Sequence, residues 1–414
     1  MIKFKWETKL KKTELGEIPQ EWEVKKLGDL ATIKTGKTDV KDAVENGDYP
    51  LFDRSNRVKR SNKYLFDAEA VIVPGEGKDF QPRYYVGKFD LHQRTYAIFD
   101  FKPTLQGEYL YFAMFMLRYF LRRWAVGSTV LSLRLPLFKK LPIPLPPLPE
   151  QRRIAAVLSW FDELIENKKQ QNEILEKTAM ALFKSWFVDF EPFRDEEMEY
   201  SKELGREIPK KWKVKPISDV ADFVKGLSYR SNELVENGRE GEIFITLKIF
   251  KRGGGFRPEY KFYQGERYSD NQITKDGDLV IALTDMTPDA RVVGAPALVI
   301  LPPNRDKGIL SLDAAKLNVL PHLKEYLYIY LKNSQEDNAS YANGVNVLHL
   351  NLDLFKSGKY ILLPPPELLQ EFHERVEPLF RKIILNTKEI MLLRKVRDTL
   401  LPKLVFGRLR VVEL

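Results

Sequence analysis

Ten residues in the first third of the chain, Arg54-Ser55-Asn56-Arg57-Val58-Lys59-Arg60-Ser61-Asn62-Lys63, contain five cations and two amides, with Tyr49, Phe52, Tyr64 and Phe66 around them. Arginine and asparagine suit bidentate hydrogen bonds to guanine and adenine edges, and lysine neutralises phosphate. The chemistry this composition offers is recognition of a nucleic acid, although a solvated hairpin would have the same composition. Further candidate readers in this half are Lys37, Lys78, Arg83, His92-Gln93-Arg94, and Gly127-Ser128-Thr129 with Arg134. In the second half they are Lys225, Tyr229, Arg230, Lys248, a flexible basic loop Lys251-Arg252-Gly253-Gly254-Gly255-Phe256-Arg257, Thr284-Asp285 with Arg291, and Asn343-Gly344-Val345-Asn346 with Asn351. These positions fall in loops or at strand ends, where binding groups are usually mounted. Singly, each also has the make-up of an ordinary turn.

Catalytic patterns are missing around them. Methyl transfer would need a glycine-rich adenosylmethionine loop and an Asn/Asp-Pro-Pro-aromatic element, whereas Pro302-Pro303-Asn304 runs in the wrong order. A nuclease would place Glu-x-Lys after a Pro-Asp, and Pro288-Asp289 has no such follower. Pro74-Gly75-Glu76-Gly77-Lys78-Asp79 lacks the upstream glycine and the Ser/Thr of a phosphate-binding loop, so it reads as a turn after a strand. The four histidines show no metal-ligand spacing, so neither a metal nor a cofactor is expected in this chain. Zero cysteines exclude disulfides and fit a cytoplasmic location, and no apolar run is long enough for a membrane span. The formal net charge is +9, with residues 1–150 basic and residues 151–200 acidic, so a polyanion such as nucleic acid would be drawn to the globular part, although a solvated surface carries the same modest charge.

The elements that must carry these residues come in two copies. Leu15-Gly16-Glu17-Ile18-Pro19-Gln20-Glu21-Trp22 returns as Leu204-Gly205-Arg206-Glu207-Ile208-Pro209-Lys210-Lys211-Trp212, and the register then holds from Trp22/Trp212 to Gly36/Gly226 at an offset of 190 residues. Glu108-Tyr109-Leu110-Tyr111 returns as Glu325-Tyr326-Leu327-Tyr328, and Gly127 as Gly344, at an offset of 217. A shared frame therefore surrounds a divergent middle with 27 extra residues in the second copy. Strand-like runs are Ala70–Val73, Arg83–Val86 and Thr95–Phe99, then Ile243–Leu247, Asp278–Leu283 and Ala297–Ile300, with helices over Gly107–Trp124 and Leu323–Lys332. Strands and helices without regular alternation indicate an α+β fold.

Proline-rich segments 141–149 and 362–366 are expected to be stiff spacers that end each globular part. A long helix follows each, about Glu150 to Phe187 and Glu367 to Leu401. Apolar positions Ile154, Val157, Phe161, Leu164, Leu175 and Leu182 recur on the first, and Val376, Leu379, Ile383, Ile390, Leu393 and Leu400 on the second. Lys168 and Gln171 interrupt the first seam and Asn386 the second, and the repeat matches Lys168 with Asn386. Heptad spacing indicates a coiled coil with polar positions that fix register, and two helices lying on their own domains is the alternative. The domain organisation expected is 1–149, a long helix 150–190, a solvated and mobile acidic linker 191–203, 204–366, and a second long helix with tail 367–414.

The paired openings, the run Ile143-Pro144-Leu145-Pro146-Pro147-Leu148-Pro149-Glu150-Gln151-Arg152-Arg153-Ile154, the segment Ser185-Trp186-Phe187-Val188-Asp189-Phe190, and the ending Leu400-Leu401-Pro402-Lys403-Leu404 together resemble the specificity subunit of a type I restriction-modification system. The resemblance implies two target-recognition domains separated by two long antiparallel coiled-coil helices. Each domain would read one half of a bipartite, asymmetric DNA site. The helices would set the spacing and dock two modification subunits carrying S-adenosylmethionine, with restriction subunits using ATP and magnesium. This chain would then be non-catalytic. One departure is Glu367-Leu368-Leu369-Gln370-Glu371 where the first copy has Glu-Gln-Arg-Arg, so contacts made by the first sequence need not be duplicated. Two other readings remain compatible with the residues: the recognition module of a DNA-modifying or DNA-cleaving enzyme, and a coiled-coil scaffold with no DNA role.

Overall fold

The repeated Glu-Tyr-Leu-Tyr starts a helix in each copy. Gly107–Trp124 places Tyr109, Ala113, Leu117 and Leu121 at four-residue spacing, so one side of the helix is apolar and buried. Gln106 caps it, its side chain accepting from the Tyr109 amide. In the second copy Lys324–Asn333 buries Tyr326, Leu327, Tyr328 and Leu331. The computed structural model describes residues 2–77, 79–127, 130–236, 238, 240–286 and 289–413. It falls into two compact units, Met1–Leu164 with Leu393–Leu414, and Ile165–Leu392, so that both long helices contribute to both units.

In the first unit the helix packs on a six-stranded sheet in the order Thr32–Thr35, Thr95–Phe99, Phe66–Pro74, Arg83–Leu91, Tyr49–Phe52, Lys59–Ser61. All pairs are antiparallel except Tyr49–Phe52 against Arg83–Leu91. The second unit divides the same elements between two sheets. One is Asp222–Lys225, Ala314–Asn318, Leu279–Ala282, Pro296–Leu298; the other contains Leu234–Val235, Lys261–Tyr263, Glu242–Ile245, Gly308–Leu310 and Ile273–Thr274. Its parallel strand pair, Glu242–Ile245 with Gly308–Leu310, repeats that of the first unit.

Two expectations need correction. The proline segments are strands within the units, not spacers: Pro142–Leu145 pairs with Glu23–Lys26 and Tyr360–Leu363 with Lys213–Pro216. Prolines at alternate positions 142 and 144 leave the amides of Ile143 and Leu145 on one side, which a two-stranded ribbon tolerates. The buried Tyr109 hydroxyl donates to the Pro144 carbonyl at 2.8 Å, and Tyr326 donates to that of Leu362. The acidic segment is likewise ordered. Met198–Ser201 forms a hairpin with Arg206–Pro209, and Phe190 and Phe193 pack edge-on against Trp212 at centroid distances of 5.3 Å. Its charges face outward while its two aromatic rings supply the apolar contact.

The long helices span Leu148–Phe187 and Pro366–Val405 and run antiparallel, since Asp162 meets Arg397 whereas Asn172 meets Thr387. Where the first helix begins, buried Gln151 bonds the carbonyls of Thr104 and Pro146, each at 2.8 Å, and accepts from the Gln106 amide. The second helix has buried Leu369 at this level, so the polar staple is indeed not duplicated. Leu164 is half exposed and Ile165 takes the place expected for it. The two polar breaks touch: fully buried Asn386 accepts from Lys168 at 3.3 Å and donates to Gln171 and Asn172 at 3.2 and 3.0 Å. Lys168 also pairs with Glu389.

The chain ends meet in the first unit. Leu409–Glu413 pairs with Lys3–Trp6, and Arg410 donates to Glu150, Glu7 and Glu21 while stacking over Trp22, whose indole bonds Glu150 at 3.3 Å. The bond from Arg410 is the main cause that holds the Glu21 carboxyl below its ordinary range.

Asn386→Ala should lower stability by about 1–3 kcal/mol in denaturant titration, because Gln171 and Asn172 lose their partner. Replacing Gln171, Asn172 and Asn386 together by leucine should recover much of that loss, because no buried polar group is then left without its partner. Arg410→Ala leaves buried Glu150 unpaired and should cost roughly 3–5 kcal/mol near neutral pH. A carboxyl with a depressed folded pKa contributes stability above its unfolded pKa and loses it as pH falls through the folded value. The Arg410→Ala variant should therefore show a shallower loss of stability from neutral pH into the acid range than the parent.

Candidate nucleic-acid interface

In both units the candidate readers hang on the same backbone crossing. Gly36 passes so close to the chain that a Cβ would lie 1.8 Å from the Leu91 carbonyl oxygen; at Gly226 it would lie 2.1 Å from that of Ser311. Only glycine fits. The bonds around the crossing repeat as pairs. Gly36 N donates to Thr95 O and Gly226 N to Ala314 O; Gly75 N donates to Arg94 O and Leu283 N to Asp313 O. Leu133 N donates to Gly75 O and Leu350 N to Leu283 O, each at 2.8 Å. Gly127 and Gly344, at φ +125° and +129°, turn hairpins that lie beside the crossing.

This frame carries unlike side chains. In the first unit, mostly buried Glu76 accepts from Arg54 Nη1 and Arg94 Nη1, both at 2.7 Å. Arg94 and Arg134 face a cleft of about 660 Å³ with Gln93, Tyr96, Val126 and Val130. The basic hairpin is fixed beside them by Asp90, a buried carboxylate that accepts from Thr38 and Ser61 hydroxyls at 2.8 Å. Lys37, Asn56, Arg57, Arg60 and Lys63 are exposed, Arg60 also donating to the Gly47 and Asp48 carbonyls. Lys59 pairs with Asp53 at 2.8 Å, and Arg83 turns inward to the Ser55 carbonyl and the face of Phe52.

In the second unit the place of Arg94 is held by Asp313, which accepts from Thr284 at 3.2 Å and Ser311 at 3.3 Å. An arginine pair recurs elsewhere: Asp289 lies 3.2 Å from Arg252 and 3.5 Å from Arg291. The adjoining hairpin tip presents Asn343, Asn346 and a Val345 that is 96% exposed, and Met286 is 74% exposed. Lys225 and Arg230 are exposed, Tyr229 stacks edge-on against Phe244, and exposed Lys248 and Arg257 are joined by the bond from Arg257 Nε to the Lys248 carbonyl. The basic glycine loop is pinned, not flexible. Gly253 N donates to Arg291 O, Gly254 N to Lys251 O and Gly255 N to Pro296 O; against the opposing effect of burial, Lys332 first and Lys251 after it hold the Glu176 carboxyl below its ordinary range.

Four candidates serve the frame. His92 is buried and accepts the Arg94 amide at Nδ1; burial is the main cause that lowers its pKa. Thr284 and Asp285 are buried, the latter accepting from Val292 and Val293 amides. Asn351 caps helix Leu352–Gly358. Lys78, Ser128 and Thr129 lie outside the described residues. Sequence reasoning missed Glu76, Val126, Val130, Asp289 and Met286; the turn after Phe66–Pro74 was recognised, but not the partners its glutamate would find. Among the described residues, no three His, Cys, Asp or Glu side chains are grouped to hold a metal ion.

The family profile described as "Type I restriction modification DNA specificity domain" matches residues 19–177 and 209–394. The type I restriction enzyme MjaIX specificity subunit of Methanocaldococcus jannaschii is 35% identical over 446 residues, covering 100% of this chain and 99% of the relative. The EcoDI specificity subunit of Escherichia coli is 33% identical over 162 residues, 38% of this chain and 35% of the relative. The crystal structure of a type I restriction-modification S subunit from M. genitalium has the same fold, with a TM-score of 0.62 at 19% identity, covering 93% of this chain and 96% of that one. With two family matches that take in most of its length, and a frame built twice from matched bonds, the chain belongs to the type I restriction-modification DNA specificity family.

Proposed function

We propose that this chain reads double-stranded DNA at a bipartite, asymmetric site, one half with each unit, as the non-catalytic specificity subunit of a cytoplasmic type I complex. The observation that carries this reading is the pairing of like backbone with unlike side chains: Gly75 N to Arg94 O corresponds to Leu283 N to Asp313 O, yet a cation stands in one place and an anion in the other. Phosphate contacts would be served by the same sign in both units, whereas base contacts must differ if the half-sites differ. Exposed Lys37, Lys63 and Arg57 supply neutralising charge. No helix among the described residues is long and apolar enough to cross a membrane.

The 40-residue helices set the gap between half-sites and dock two modification subunits. S-adenosylmethionine belongs to those subunits, and ATP and magnesium to restriction subunits. Lys168, Asn386 and their partners fix the register of the antiparallel seam.

The test is binding by the chain complexed with its modification subunits to randomised duplexes. Selected sites should have two specified tracts around an unspecified gap. Seven residues inserted in each helix at facing positions keep the heptad seam and add about 10 Å, so the gap should lengthen by about three base pairs. Sites with an unchanged gap would refute the spacing role. Lys63→Ala should weaken binding about equally across sequences and reduce the salt slope by about one.

A further inference from the structure

We infer that Arg54, Glu76 and Arg94 form a guanine-reading site in the first unit, an assignment that rests on the reading of this chain as a DNA-recognition subunit. Glu76 takes one Nη1 proton donor from each arginine at 2.7 Å. Among the described residues neither guanidinium has another hydrogen-bond acceptor, so each keeps the rest of its donor fork for a ligand. Both side chains remain accessible, 43% for Arg54 and 58% for Arg94, while the carboxylate between them is mostly buried.

Three features favour a base edge over a phosphate. A carboxylate centred between the arginines halves their net charge and opposes a second anion, but it fixes the direction of both forks. Guanine O6 and N7 are paired neutral acceptors that match such a fork. The cleft beside Arg94 also offers apolar Val126 and Val130, which suit the stacked and methylated interior of a groove better than its charged rim. Finally, the same backbone position in the second unit carries Asp313 with Thr284 and Ser311. A phosphate contact made by a shared frame would not change sign between copies, whereas a base-reading position can.

Glu76 is a positioning residue in this scheme. Its backbone is tied to Ser132 and that of neighbouring Gly75 to Arg94 and Leu133, so the carboxylate is delivered by the same crossing that sets the Arg94 turn. Guanidinium geometry, not charge alone, carries the reading, and lysine cannot replace it.

The experiment is selection from randomised duplexes by the full chain complexed with its modification subunits, comparing the parent with R54A, R94A, R94K and E76Q. The parent should select a G·C pair in the first half-site. In R94A the preference for guanine at that pair should fall roughly tenfold to a hundredfold, with the other positions of both halves unchanged. R94K should bind nearly as tightly at low salt without regaining the preference, and E76Q should weaken it at the same pair only. R54A should act at that pair or its neighbour. The assignment is overturned if the first half-site contains no G·C pair, or if R94A weakens all sequences equally and R94K restores them. A parent complex that selects no sequence would instead remove the underlying DNA-recognition reading, and this site with it.

Discussion

Two glycines that admit no side chain hold the molecule's logic together. At Gly36 and Gly226 the chain crosses beneath a carbonyl so closely that a Cβ would overlap it, and the crossing fixes where the next turns emerge. Arg94 and Asp313, Gly75 and Leu283, and the Gly127 and Gly344 hairpins are all placed by bonds that start there. Backbone bonds are indifferent to side-chain chemistry, so the frame can stay constant while its exposed residues change sign and size. Even the second unit's extra length follows this rule: it splits one sheet into two and adds the glycine loop, yet leaves the parallel pair and the crossing intact.

The helices obey a complementary constraint. Apolar burial alone would let two long helices slide by a heptad at small cost, whereas a buried asparagine loses its partners on any slip. Asn386 with Gln171, Asn172 and Lys168 supplies that penalty in the second unit. In the first unit, Arg410 joins the last strand to the first helix through Glu150. Lys3–Trp6 and Leu409–Glu413 form a two-stranded element beside that contact.

Much of this was legible in the residues. Repetition exposed the two units, four-residue periodicity gave the helix Gly107–Trp124 residue for residue, and the match of Lys168 with Asn386 marked a contact between distant segments. The acidic segment was misread because its order comes from Phe190 and Phe193 on Trp212, a contact that charge composition conceals. The proline strands were misread because pairing with residues 23–26 is non-local. Among the candidate readers, sequence could not separate His92, Thr284, Asp285 and Asn351, which bond the frame, from Arg54, Arg94 and Asn346, which face solvent: the same polar groups serve both ends. Glu76 escaped notice because acids are not expected at a polyanion surface, and its value lies in the arginines it orients.

The central claim is that one frame, built twice, presents different residues to different tracts of one duplex. Site-specific photo-crosslinking from positions 93 and 312 tests it most directly, since Gln93 and Leu312 precede Arg94 and Asp313 at equivalent, solvent-facing places in the two turns. With the assembled complex on its selected site, position 93 should link to bases in one specified tract and position 312 to bases in the other. Links from both positions to the same tract, or to sugar and phosphate at random along the duplex, would contradict the account.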